Sequence, residues 1–195
     1  MRIIFNTVLV LLFTIGITHT AFAAKSRHVL IAYYSKSHHN TEYMAKAVAK
    51  GTQSVKDTKV KLVYINGKPL NPKLAKWADA LIIGSPVYNA APAYTVVKFI
   101  DSLPFDSKLL HDKLGAAFAS GAGIHAGAES TVLSILRSEM LLQMITVGGE
   151  NWHSAFGAIG VFSPQATKKQ AKNNLAQAYS ESYNLGRRVA LLLQR

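Results

Sequence analysis

The sequence predicts one α/β domain, a doubly wound five-stranded parallel sheet with helices on both faces. Three observations lead there. Short apolar runs alternate with amphipathic segments from Lys25 onward, as strand–helix units require. Two of those runs, Val29–Ile31 and Ala80–Ile83, are nearly continuous in apolar residues, the pattern of strands covered on both faces. The chain has 195 residues, 49% of them hydrophobic, which suits one domain with a sizeable core and argues against disorder.

The first 23 residues read as a targeting segment rather than part of this domain. Arg2 supplies a positive start, Ile3 to Ile17 is almost wholly apolar, and Ala21-Phe22-Ala23 places small residues where a signal peptidase reads them. A membrane anchor is the rival reading, but the apolar run falls short of the roughly 20 residues that span a bilayer. The expected domains are therefore a signal peptide over 1–23 and the folded domain over 24–195, in a periplasmic or secreted protein. The chain has no cysteine, so disulfides, a lipid-bearing Cys and Cys-bound metal are excluded. That usage fits an oxidising compartment where stray thiols would react.

The elements follow in order. His28 to Tyr34 is the first strand. Thr41 to Gly51 is a helix with Met44, Ala45 and Val48 on one side and Gly51 as its stop. Lys59 to Ile65 alternates charged and apolar residues, as an edge strand does. Asn71 or Asn66 opens a short helical turn carrying Leu74 and Trp77. Ala80 to Gly84 is a buried strand, and Pro92 stands at a favoured first helical position ahead of Val96, Val97, Phe99 and Ile100. Leu114 to Ser120 is a strand of small residues, Ser130 to Gln143 a helix, Met144 to Val147 strand, Gly157 to Phe162 a last short strand, and Pro164 to Gln194 mostly helix. No internal repeat or second domain is visible.

The formal charge of +12 favours anionic partners such as a phosphate-bearing cofactor or an anionic membrane surface. The basic residues are spread along the chain without a dense run or a nucleic-acid motif, so nucleic acid is not an expected partner. No metal site is expected.

In a doubly wound sheet, ligands bind beyond the carboxyl ends of the strands, near the switch in strand order. Three loops therefore matter. Ser35-Lys36-Ser37-His38-His39-Asn40-Thr41 brings hydroxyls, an amide and free backbone N–H groups to the positive end of a helix, which suits a phosphate. Helix capping by Ser37, Asn40 or Thr41 explains the same residues. Ser85-Pro86-Val87-Tyr88-Asn89-Ala90-Ala91-Pro92 is stiff enough to border a flat heterocycle, with Tyr88 able to flank a ring. An ordinary turn with an exposed tyrosine is the plainer alternative. Ser120-Gly121-Ala122-Gly123-Ile124-His125-Ala126-Gly127-Ala128-Glu129 is rich in glycine, which lets backbone approach a ligand closely. His125 is either a hydrogen-bonding group for a flavin carbonyl or quinone oxygen, or plain surface.

These stretches carry a resemblance. YYSKSHHNTEYMAKAVAKG, from Tyr33 to Gly51, resembles the FMN phosphate loop of flavodoxins and of the tryptophan-repressor-binding-protein type of NAD(P)H:quinone oxidoreductase. ADALIIGSPVYNAAPAYTVVKFID, from Ala78 to Asp101, is similar to that family's second flavin loop, and KLGAAFASGAGIHAGAESTVLSIL, from Lys113 to Leu136, to its third. Ser163-Pro164 followed by a long helix ending in Gly186-Arg187-Arg188-Val189-Ala190 fits as well.

The resemblance implies a flavodoxin-like sheet with strand order 2-1-3-4-5, FMN as cofactor and NAD(P)H as electron donor. It implies that Ser35, Ser37, Asn40 and Thr41 hold the phosphate, with the His39 imidazole as a candidate replacement for the backbone contacts of the usual glycine, and that Pro86, Val87, Tyr88 and Asn89 line the isoalloxazine. Ser120, Gly121, Ala122, Gly123 and His125 would close its other edge, with His125 and Tyr88 as the catalytic candidates. The implied activity is two-electron reduction of quinones. The alternative is a flavodoxin-fold ligand-binding or electron-transfer protein without NAD(P)H-dependent activity. The expected partners are a quinone or an electron-transfer protein, a peripheral membrane surface, and further copies of the chain. The sequence departs from the family at His38-His39, where a glycine is usual, at the shorter Asn89-Ala90-Ala91 segment, and in its basic charge, since shuttle flavodoxins are acidic.

Overall fold

The computed structural model describes residues 26–36 and 38–195. The targeting segment expected at 1–23 and the phosphate-loop candidate Ser37 lie outside them. The elements run β1 (Arg27–Tyr33), α1 (Asn40–Gln53), β2 (Thr58–Tyr64), α2 (Pro72–Trp77), β3 (Ala80–Tyr88), β4 (Ala91–Pro92), α3 (Tyr94–Asp101), β5 (Leu114–Gly121), α4 (Ala128–Leu141), β6 (Ile145–Thr146), β7 (Ala158–Val161) and α5 (Lys168–Leu192). Among these helices none is long and apolar enough to cross a membrane.

The sheet order is β2-β1-β3-β5-β6, with β7 also on β5, and every pairing is parallel except the short β3–β4 hairpin. The fifth place is shared. β6 pairs with Leu114 and Gly115 at the start of β5, while β7 pairs with Phe118 to Gly121 at its end. Both late segments expected from the sequence thus occupy one strand position, and the arrangement is the expected 2-1-3-4-5.

Alternation along the strands builds two cores. Leu30, Ala32, Leu81, Ile83, Ala117 and Ala119 face one side, against Val96, Phe99, Val132 and Ile135 of α3 and α4. Val29, Ile31, Ala80, Ile82, Ala116 and Phe118 face the other, against Met44 and Val48 of α1 and Leu185 and Val189 of α5. Period-two alternation with both faces covered is why these strands read as unbroken apolar runs. β2 lies at the edge, as its mixed pattern predicts.

Two local expectations are corrected. Gly51 does not stop α1, which runs on to Gln53. Its missing side chain serves packing, because a Cβ there would fall on the Tyr183 carbonyl, and one on Gly186 would fall on that of Val48. Pro92 does not start a helix. It pairs with Val87 in β4, and α3 begins at Tyr94. Asn71 is the cap of α2, its side chain accepting from the Lys73 N–H at 2.9 Å.

Candidate functional site

The loops leaving β1, β3 and β5 at their carboxyl ends meet around a cavity of about 590 Å³. The first contributes Ser35, His39, Asn40 and Thr41, the second Pro86, Val87 and Tyr88, and the third Ser120, Gly121 and Ala122. Two further first-loop residues, Lys36 and His38, also line it. A fourth wall comes from the β7–α5 connection, through Val161 to Pro164 and then Ala171, Asn174 and Leu175 of α5.

The first loop turns into α1 through His39, which lies in the left-handed region at φ 53° and ψ 15° and makes no side-chain cap. That is the backbone a glycine adopts most easily, and histidine is among the few other residues enriched there. The turn a glycine ordinarily supplies is therefore kept without one. The His39 ring helps hold it, with Nδ1 2.8 Å from Glu42 Oε2. We expect His39→Gly to leave the loop's shape and the thermal midpoint almost unchanged, whereas His39→Val should cost about 1–2 kcal/mol, because a β-branched side chain is strained at positive φ. Equal melting shifts for the two variants would disprove the turn.

Helix geometry leaves the N–H groups of Asn40 and Thr41 without intrahelical acceptors. The Glu42 N–H instead donates to Ser35 Oγ at 3.3 Å. Glu42 itself is ion-paired: the Lys46 ammonium at 2.6 Å, then the His39 ring, hold its carboxyl below the usual carboxylate range. A helix start whose first N–H groups have no acceptor among the described residues, beside an acid paired with a lysine, suits a phosphate chemically.

The Thr41 hydroxyl is already engaged. Thr41 Oγ1 and Ser120 Oγ are 2.7 Å apart and buried, which ties the start of α1 to the end of β5. Beside that hydroxyl, Thr41 has its backbone N–H to offer a ligand.

The second loop is pinned by Ser85, whose Oγ accepts from the Ala93 N–H at 2.9 Å and donates to the Pro86 carbonyl at 2.8 Å. Burial, then Tyr34 and Tyr64, push the Tyr88 phenol upward, so near neutrality it presents an uncharged ring and hydroxyl to the cavity. Asn89 is not in the wall. With Ala90 it forms the hairpin tip between β3 and β4, at φ 51° and 60°. Two successive positive φ angles make the two-residue turn that suits right-twisted strands. The Ala90 carbonyl accepts from Ser130 Oγ at 2.9 Å, and a Cβ on Gly127 would strike Ala90, so the second and third loops touch.

Gly123 and His125 face a neighbouring cavity of about 360 Å³ rather than the main one. It shares Val161, Ser163 and Asn174 with the first. Of the two catalytic candidates, Tyr88 therefore borders the main cavity and His125 the adjoining one.

The fourth wall went unassigned in the sequence reading. Ser163-Pro164 follows the last strand as Ser85-Pro86 lies at the end of β3, so the carboxyl-end rule applied once more would have found it.

Residues 27–158 match the model of a family described as NADPH-dependent FMN reductase. A flavodoxin from Aquifex aeolicus is 28% identical over 160 residues, 78% of this chain and 85% of that protein. An NAD(P)H dehydrogenase (quinone) from Paraburkholderia phymatum is 32% identical over 139 residues, 62% of this chain and 69% of the relative. Among solved structures, the flavodoxin, WrbA-like protein from Agrobacterium tumefaciens superposes with a TM-score of 0.66 at 23% identity, covering 86% of this chain and 97% of that one, a likeness of fold.

Proposed function

We propose, on the premise that this chain belongs to the NADPH-dependent FMN reductase family, that it is an exported enzyme reducing quinones by two electrons at the expense of NAD(P)H. Its coarser character is that of a flavodoxin-like, FMN-dependent oxidoreductase. The observation that carries the reading is the convergence of three carboxyl-end loops on one cavity, with an uncapped helix start on one wall and Pro86-Val87-Tyr88 on another.

FMN, when bound, would supply the redox chemistry, with a nicotinamide as hydride donor and a quinone as two-electron acceptor. The protein's share is placement. Asn40 and Thr41 N–H groups, with Ser35, hold the phosphate at the positive end of α1. Pro86, Val87 and Tyr88 border the ring on one side, and Ser120, Gly121 and Ala122 on the other. His125, in the adjoining cavity, would offer a hydrogen bond to a flavin carbonyl or a quinone oxygen.

The N-terminal targeting segment favours a second reading. Nicotinamide cofactors are scarce outside the cytoplasm, so an electron-transfer or ligand-binding protein fed by a membrane partner is the alternative. The charge of +12 suits approach to an anionic membrane surface, where quinones reside.

Titrating the chain from residue 24 onward with FMN tests the cofactor assignment. One-to-one binding with quenched flavin fluorescence is expected, followed by NADH- or NADPH-dependent reduction of a water-soluble quinone. A full flavin complement without turnover on either nucleotide would favour the electron-transfer reading. Absence of saturable binding would defeat the quinone-reductase and electron-transfer readings and leave a flavodoxin-fold protein that binds another ligand. Fractionation of cells producing the full chain tests export, and a protein that keeps residues 1–23 and stays in the cytoplasm would overturn it.

A further inference from the structure

We propose that Tyr64, which lies outside the cavity on the edge strand, is a positioning residue that latches the first loop and sets the preference for a phosphorylated flavin. The inference rests on the assignment of that loop to the FMN phosphate.

β2 ends at Tyr64 beside the end of β1, in register with Tyr33. Beyond Tyr33 the chain leaves the sheet to form the first loop. Tyr64 reaches across that departure: its hydroxyl donates to the carbonyl oxygen of Ser35 at 2.9 Å. Ser35 also receives the Glu42 N–H on its Oγ, so one residue is gripped from the edge strand and from the first turn of α1. The Tyr64 ring neighbours two others, Tyr33 edge-on at a centroid distance of 5.8 Å and Tyr34 tilted at 5.9 Å. An aromatic side chain with such neighbours loses little further freedom when its hydroxyl bonds.

The loop needs such a hold. Its turn into α1 uses a non-glycine residue at positive φ and, among the described residues, a helix start without a side-chain cap. Both features raise the free energy of the phosphate-binding shape relative to looser ones. A hydrogen bond to the loop's own carbonyl favours that shape before any ligand arrives, and preorganisation of this kind increases affinity without a direct contact. Tyr64 is 48% exposed and takes no part in either core, so removing its hydroxyl leaves the fold intact.

The test is Tyr64→Phe in the chain from residue 24 onward, with FMN and riboflavin titrated separately against wild type and variant. Riboflavin carries the same ring and ribityl chain without the phosphate. The latch predicts roughly fivefold weaker FMN binding, as one neutral hydrogen bond allows, with riboflavin affinity and the apoprotein's thermal midpoint unchanged. Inorganic phosphate should also compete less well against FMN in the variant. Equal loss for both flavins would make Tyr64 a general structural residue and overturn the proposal, as would an unchanged FMN-to-riboflavin ratio. A wild-type protein that binds riboflavin as tightly as FMN would instead defeat the phosphate assignment beneath it.

Discussion

Glu139→Gln is expected to stabilise the folded chain by an amount that grows with pH. Glu139 lies on the inner face of α4, fully buried, and neither carboxylate oxygen has a hydrogen-bond partner among the described residues. It sits against β5 where that strand has Gly115, at which a Cβ would come within 2.7 Å of Oε2. Burial pushes its carboxyl well above the ordinary value. The backbone of Ala116 opposes this weakly, without meeting hydrogen-bond geometry.

The folded protein therefore holds Glu139 protonated at pH values where the unfolded chain has released that proton. Below the ordinary carboxyl pKa of about 4.3 both states are protonated and the group exacts no pH-dependent penalty. As pH rises, ionisation favours the unfolded chain by about 1.4 kcal/mol per pH unit, until the raised folded pKa is reached and the penalty levels off. Glutamine keeps the shape and cannot ionise, so the gap between variant and wild type should open with that slope from about pH 4.5 upward. Glu139→Leu should add about 1–3 kcal/mol at every pH by removing a buried, unpaired polar group. Urea unfolding of the three proteins across that range decides it. A difference between glutamine and wild type that stays flat with pH would mean the carboxyl has a partner in the folded state.

What the sequence made legible follows from how strongly each segment is determined locally. β1, β3 and the loops beyond them are plain because strands covered on both faces need unbroken apolar runs, and because Pro86 and Pro92 restrict the second loop whatever surrounds it. The third loop is plain through its glycines. Gly51 misleads because a helix stop and a helix–helix contact call for the same residue, and only the placement of Tyr183 in α5 separates them. Pro92 misleads because φ near −65° serves a strand end as well as a helix start.

The edge of the sheet is harder still. β6 makes only two residue pairs before the chain leaves β5 and returns as β7, so two separate segments share one place in the sheet. The part of the fourth wall that α5 supplies is unreadable for a related reason. Asn174 and Leu175 carry no signal of their own, and reach the site only because α5 packs along α1. His39 is instructive in the other direction. The resemblance marks His38-His39 as a departure where a glycine is usual, yet the backbone takes a left-handed conformation with His39 in it.

Thr41→Val and Ser120→Ala are each expected to cost about 1–3 kcal/mol of folding stability, and the double variant less than their sum. Their hydroxyls are 2.7 Å apart, with Thr41 1% and Ser120 6% exposed, so each single substitution leaves the other oxygen buried without its partner. Removing both removes the orphan, and neighbours of this kind show coupling of about 0.5–3 kcal/mol. The same cycle, read through FMN titration, distinguishes a tie between two loops from a pair of ligand contacts. If the hydroxyls serve only to hold the start of α1 against the end of β5, FMN affinity should fall in each single variant and recover in the double one, where the elements repack without an unpaired group. If either oxygen bonds FMN directly, the double variant should bind most weakly of all. The bond to Ser120 leaves the Thr41 hydroxyl facing the third loop, so recovery is the expected result, and it would leave backbone N–H groups, rather than Thr41 Oγ1, as the donors that the start of α1 offers the phosphate.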